Sequence, residues 1–189
     1  MRAVFLDRDG VISQAVVRNG KPYPPASLDE VKLVANVVES LYRLKELGFR
    51  LIVVTNQPDV RRGATSKQTV EQIHAELARQ LPVDDFFVCY HDDSDGCECR
   101  KPSPGMLLQA SRRYGINLQQ SFMVGDRWRD IEAGAAAGCR TVLIDYGYDE
   151  RRPKRPADAT VTSLIDAVNW ILATAADRPL FDQPPERQR

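Results

Sequence analysis

Histidine is nearly missing from this chain, with two residues among 189. Cysteine is sparse as well, at four. Neither sign of charge is in excess, since Lys plus Arg and Asp plus Glu each total 26. A chain of zero formal charge is not built to grip a nucleic-acid backbone by bulk attraction, so only a local basic patch could do so. No apolar run is long enough to cross a bilayer, so no membrane partner is expected. No long apolar segment follows the N-terminal methionine, where a secretory signal would carry one. The expected setting is cytoplasmic, with the cysteines as thiols or metal ligands, not disulfides. No internal repeat is visible.

What is present suits an ordinary globular protein, with 43% hydrophobic and 28% charged residues. The length fits one domain with its own core. That domain is expected over residues 1–176. Residues 177–189 are rich in Pro, Arg and Gln and are expected to form a frayed, flexible tail. Apolar runs alternate with helical patterns. Strands are predicted at 3–6, 50–55, 85–90, 121–124, 140–144 and 159–161. Helices are predicted at 34–47, 66–80, 104–114, 129–137 and 163–173, the second capped by Thr65 or Ser66. Such alternation implies an α/β fold, a mostly parallel sheet with helices on both faces. Residues 10–33 form a polar connection with Pro22, Pro24 and Pro25, too long for a routine turn and therefore either functional or loosely ordered.

In open sheets of this kind, ligands bind beyond the carboxyl ends of the strands. Those ends carry Asp7-Arg8-Asp9-Gly10, Thr55-Asn56, Cys89 to His91, and Gly125-Asp126. Paired carboxylates past a strand can divide their work, one attacking an electrophile or holding a hard cation, the other moving protons. Mg²⁺ takes one or two carboxylates plus phosphate and water. Thr55 and Asn56 can hold phosphate oxygens, Lys101 can neutralise phosphoryl charge, Asp126 can complete a metal's ligand set, and Asp130 can brace Lys101 or the metal's waters. Phosphoryl transfer needs little more than placement, a metal and cations. The competing reading of Asp-x-Asp-Gly by itself is a solvated acidic turn.

Asp7-Arg8-Asp9-Gly10, Thr55 after an apolar strand, Lys101, and Gly125-Asp126-Arg127-Trp128-Arg129-Asp130, in this order, resemble the four motifs of the haloacid dehalogenase (HAD) superfamily of phosphatases. The resemblance runs from residue 3 to about 147. It implies a Rossmann-like fold in which Asp7 forms an aspartyl-phosphate. Asp9 protonates the leaving group and then activates water. Asp7, the backbone carbonyl of Asp9, and Asp126 hold Mg²⁺, while Thr55 and Lys101 bind the phosphoryl group. No large insertion separates the motifs, which implies no large cap domain and a flap made from the loop after Gly10.

Three of the four cysteines and one of the two histidines fall within residues 89–99. Cys89, His91, Cys97 and Cys99 suit a closed, structural tetrahedral Zn²⁺ site. Chance clustering of reduced thiols is the alternative. His74, between Ile73 and Ala75, reads as an ordinary helix-surface or core residue, and Cys139 as a small buried one. This zinc-binding loop, leading into Arg100-Lys101-Pro102, resembles that of the D-glycero-D-manno-heptose 1,7-bisphosphate 7-phosphatase and histidinol-phosphatase group. The resemblance implies that Arg100 contacts substrate, with Asn56 and Arg62 as further substrate-binding residues. The expected enzyme is a monomeric Mg²⁺-dependent phosphatase that removes the 7-phosphate of a heptose bisphosphate. The alternatives are histidinol-phosphate phosphatase, a DNA 3′-phosphatase, or a zinc-stabilised binding protein. Pro58-Asp59, Ala35-Asn36 and the non-acidic flap segment 13–18 depart from the group's pattern, on surfaces that would select the leaving group.

Overall fold

A computed structural model describes residues 1–176. The expected tail, 177–189, lies outside the described residues. The elements run β1 (Ala3–Leu6), β2 (Val16–Arg18), β3 (Lys21–Tyr23), α1 (Val37–Glu46), β4 (Arg50–Asn56), α2 (Lys67–Gln80), β5 (Asp85–Cys89), α3 (Gly105–Tyr114), β6 (Phe122–Gly125), α4 (Trp128–Ala137), β7 (Arg140–Ile144), β8 (Ala159–Val161) and α5 (Leu164–Ala176). Six strands form one sheet in the order β5-β4-β1-β6-β7-β8. Every pairing in it is parallel.

Parallel strands buried on both faces read as continuous apolar runs, and β1 shows why. Val4 and Leu6 point into a core with α1, α2 and α5. Ala3 and Phe5 point into a second core with α3 and α4. β4 divides likewise, with Leu51 and Val53 on one face and Ile52 and Val54 on the other. The chain turns at the carboxyl ends of β1, β4, β5 and β6, so polar side chains there share one edge.

The sequence places most elements within a residue or two, and two departures have clear causes. α1 begins at Val37, three residues later than expected. The Val34 amide is committed to Ile12 O at 3.2 Å, and Asn36 takes a left-handed conformation with φ of 58°. The long polar connection is ordered. β2 and β3 pair antiparallel around Asn19-Gly20, both at positive φ, as a tight hairpin requires. No described helix is long and apolar enough to cross a membrane.

Candidate active site

Asp7 follows β1 directly, and its amide donates to Val124 O at 3.0 Å. This bond ties the reaction edge of β1 to β6. Lys101 reaches the same point from the loop after β5. Its ammonium is 2% exposed and lies 2.7 Å from Asp7 Oδ1, 2.6 Å from Asp130 Oδ1 and 2.7 Å from Val54 O. All three donors of the ammonium are therefore spent. Burial opposes its charge, but Asp130 and then Asp7 outweigh burial and hold the Lys101 pKa above its usual value. Burial raises Asp7 to about 6 against the pull of Lys101.

The Lys101 backbone is fixed by a reciprocal pair of bonds. Lys101 N donates to Asn56 Oδ1, and Asn56 Nδ2 donates to Lys101 O, each at 3.0 Å. Asn56 thus sets the position of Lys101, besides lining the cleft.

Asp126 follows β6 and is 4% exposed. Neither of its carboxylate oxygens has a well-formed hydrogen bond among the described residues, and Tyr148 is the side-chain donor near enough to favour its charge. Burial, then Asp7 and Asp130, push its pKa well above the carboxylate range. A buried charge without a partner is costly unless a cation is supplied. Carboxylate oxygens of Asp7, Asp126 and Asp130 lie within 4.8 Å of one another, which fits a hard cation. Gly10 makes room for this arrangement. Its φ is +88°, and a Cβ there would collide with the Asp126 carboxylate. Gly125 leaves the same kind of room for Asp130.

The Asp9 side chain does not join that cluster. Its Oδ1 accepts from Arg8 Nε at 3.0 Å and Ser13 Oγ at 3.1 Å. Its Oδ2 accepts from Arg8 NH2 at 2.9 Å and Gln57 Nε2 at 3.0 Å. Gln57 Nε2 also donates to Thr55 Oγ1 at 2.9 Å, linking two of the expected site residues. Arg8 is fully buried, and its NH1 lies 3.1 Å from His74 Nε2. A guanidinium only donates, so that nitrogen of His74 carries no proton. His74 is a core residue, stacked on Phe86 at 4.7 Å. Burial and then Arg8 lower its pKa to about 3. Arg8, Ser13 and the His74 contact were not expected from sequence. The Arg8 and Ser13 bonds to Asp9 are local, whereas the His74 contact is made only where α2 packs beside the end of β1.

The second cluster forms as expected. The Cys99 sulfur lies 3.1 Å from that of Cys89 and 3.4 Å from that of Cys97, and His91 Nδ1 lies 3.3 Å from Cys99. Burial pushes the Cys89 thiol up, so a thiolate set here calls for a cation. Gly96, at φ of 60°, turns the loop back. Four soft donors with no open position fit a structural metal ion. Cys139 lies apart and buried.

Asp7 and Asp130 of the first cluster line a cleft of about 220 Å³, and the loop that carries the second cluster reaches it through Asp93 and Arg100. Lys21, Pro22 and Tyr23 of the hairpin wall it opposite Asp7, which gives the segment after Gly10 a place over the site. Arg62 and Arg100 line it as expected, but each is engaged. Arg62 forks onto Asp92 at 2.9 and 2.7 Å, and Arg100 Nε bonds Asp93 at 2.8 Å. Two unforeseen arginines join them. Arg127 pairs with Glu150, and Arg129 pairs with Asp93. Sequence alone assigns no role to these acids.

A sequence model of the family described as haloacid dehalogenase-like hydrolase matches residues 16–138. The D-glycero-beta-D-manno-heptose-1,7-bisphosphate 7-phosphatase of Yersinia pestis is 35% identical, covering 94% of this chain and 93% of its own. The enzyme of that name from Escherichia coli strain K12 is 34% identical over 94% of this chain and 91% of its own. A solved structure of D,D-heptose 1,7-bisphosphate phosphatase from B. bronchiseptica, complexed with magnesium and phosphate, superposes with a TM-score of 0.75. It is 30% identical and covers 93% of this chain and all of its own. A putative HAD-like phosphatase from Mesorhizobium loti gives a TM-score of 0.74 at 28% identity, over 93% of this chain and 87% of its own. On the sheet order, the strand-end residues and these likenesses together, the chain belongs to the haloacid dehalogenase-like hydrolase family.

Proposed function

We propose that the chain is a cytoplasmic, monomeric phosphatase that removes the 7-phosphate of D-glycero-D-manno-heptose 1,7-bisphosphate. The observation that carries the reading is the contrast between two buried carboxylates. Asp7 is matched by Lys101, while Asp126, beside it, has no ion-pair partner among the described residues, and burial raises its pKa against the pull of Tyr148 and Arg127. A phosphoryl group and a hard cation are the ligands that such a pair suits.

In this reading Asp7 attacks phosphorus, the ester oxygen departs, and an aspartyl-phosphate forms. Asp9 gives the departing oxygen its proton, then takes one from the water that hydrolyses the intermediate. It already lines the cleft, and to do so it must exchange bonds of the Arg8 fork for the substrate. Lys101 and Thr55 hold the phosphoryl oxygens, and Asp130 keeps Lys101 in place. Asp7, the Asp9 carbonyl and Asp126 would hold Mg²⁺, which supplies positive charge to the phosphoryl group. Zn²⁺ on Cys89, His91, Cys97 and Cys99 would be structural, fixing the loop that delivers Arg100 and Lys101. Arg62, Arg100 and Asn56 lie on the substrate side of the cleft. The relatives' names supply the heptose, and the arginines beyond the reaction centre suit a second phosphate.

The test is phosphate release, with Mg²⁺, from both heptose 1,7-bisphosphate anomers, histidinol phosphate, other sugar bisphosphates and a 3′-phosphorylated oligonucleotide. Turnover of a heptose bisphosphate that disappears in Asp7→Asn supports the reading. Preference for another substrate would replace the heptose. No turnover of any substrate by a folded, metal-loaded protein would favour a zinc-stabilised binding protein.

A further inference from the structure

The rim of the cleft holds one carboxylate between two guanidinium groups. Asp93 Oδ1 accepts from Arg100 Nε at 2.8 Å and Arg129 NH1 at 3.1 Å, and Oδ2 accepts from Arg129 NH2 at 3.1 Å. The three residues come from different places. Asp93 opens the 3-10 turn Asp93–Asp95 in the metal loop, Arg100 precedes Lys101, and Arg129 is the second residue of α4. All three line the cleft that contains Asp7.

The arginines are built in. Arg100 also donates to His91 O at 3.3 Å, and its side chain is 10% exposed. Arg129 lies over the Trp128 ring at 4.4 Å, and NH1 reaches Lys101 O at 3.4 Å. Its side chain is 22% exposed, while that of Asp93 is 56% exposed. Asp93 is therefore the partner that returns to water most easily. Exposed ion pairs contribute little net stability, so releasing it costs little. A phosphate dianion presents the same forked acceptor with more charge.

We propose that Arg129 joins Arg100 in reading the phosphate that is not cleaved, and that Asp93 is a built-in counter-ion which that phosphate displaces. The inference rests on the proposed sugar-bisphosphatase function and adds two specificity residues to it. Both ends of the Arg129 fork are spent on Asp93, so a forked grip through NH1 and NH2 on a ligand phosphate requires the exchange. Asp93 thus favours ligands with a second phosphate strong enough to win the competition.

The experiment compares heptose 1,7-bisphosphate with heptose 7-phosphate, which share the cleaved group and differ only at the distal one. Arg129→Gln should lower kcat/KM for the bisphosphate roughly tenfold, the scale of one charged hydrogen bond, and leave the monophosphate unchanged. Arg129→Lys should recover only part of the loss, since an ammonium cannot fork. Asp93→Asn should act in the opposite direction, lowering KM for the bisphosphate several-fold, on the order of one exposed ion pair, with kcat and the monophosphate unchanged. Thermal melts of each variant check that it folds. Equal effects on both substrates, or a raised bisphosphate KM in Asp93→Asn, would overturn the inference while the phosphatase reading stands. If the wild-type enzyme cleaves neither sugar, the function itself is wrong and the inference falls with it.

Discussion

His74 should control how the protein responds to acid. In the folded chain it is held neutral, with its pKa lowered from 6.5 to about 3 by burial and by Arg8. Protonation would place a second cation against Arg8, whose NH1 lies 3.1 Å away. The unfolded chain binds that proton near pH 6.5 and the folded chain does not, so the stability from neutral His74 is fully present above pH 6.5. It is lost as pH falls from there towards 3. Two units below the unfolded value, at pH 4.5, the loss is about 2.7 kcal/mol. Urea unfolding of wild type and His74→Gln at pH 7, 5.5 and 4.5 isolates the effect, because every other titrating group cancels in the difference. Glutamine keeps an acceptor for Arg8 and does not titrate. From pH 7 to 4.5, wild type should lose about 2.7 kcal/mol more stability than the variant. Parallel curves would refute the buried neutral imidazole, and with it the account of what holds Arg8 against Asp9.

Lys101→Met leaves Asp7 and Asp130 buried without their shared cation, so urea unfolding at pH 7 should show a loss of about 3–5 kcal/mol. The variant should release no phosphate even under conditions where it is fully folded. Asp126→Asn removes an unpartnered buried charge. In chelator its unfolding free energy should exceed that of wild type by about 1–3 kcal/mol, and Mg²⁺ should stabilise wild type but not the variant. Purified protein should carry one zinc per chain. Cys89, Cys97 and Cys99 should react with a thiol reagent only after chelation, and Cys139 only on unfolding. Immediate reaction of all four without bound zinc would rule out the metal loop.

Much of the site was legible because a parallel sheet collects strand ends, so residues far apart in sequence had one place to meet. Asp7, Thr55 and Asp126 are legible that way, while Lys101 is legible as a cation before a helix and Asp130 as one helical turn past Asp126. The thiol cluster was legible because its donors lie within eleven residues. What sequence hid was the layer behind these groups. Arg8 between two aspartates reads as a spacer, yet it is fully buried and binds Asp9 and a histidine 66 positions away. No local pattern encodes that distance. The hairpin did leave a signal in Asn19-Gly20, between Val17 and Tyr23. Its strands are three residues each and one holds Pro22, which usually demotes a strand. Asp92 and Asp93 read as hydrated loop residues because nothing near them in sequence shows which arginines arrive.

The clamp between Asn56 and Lys101 has a consequence for how the chain can vary in length. Two hydrogen bonds with the Asn56 side chain hold Lys101 to the end of β4, and Cys89 closes β5 beside it. Between these anchors, residues 92–96 lie largely at the surface and belong to no strand or α-helix. Insertions there would leave Lys101 where it is, because its position does not depend on the length of that arc. They would move Asp92, Asp93 and Asp95, the acids that face the arginines. The arc is thus an exchangeable cassette, through which changes in loop length can retune ligand choice while the reaction centre keeps its geometry.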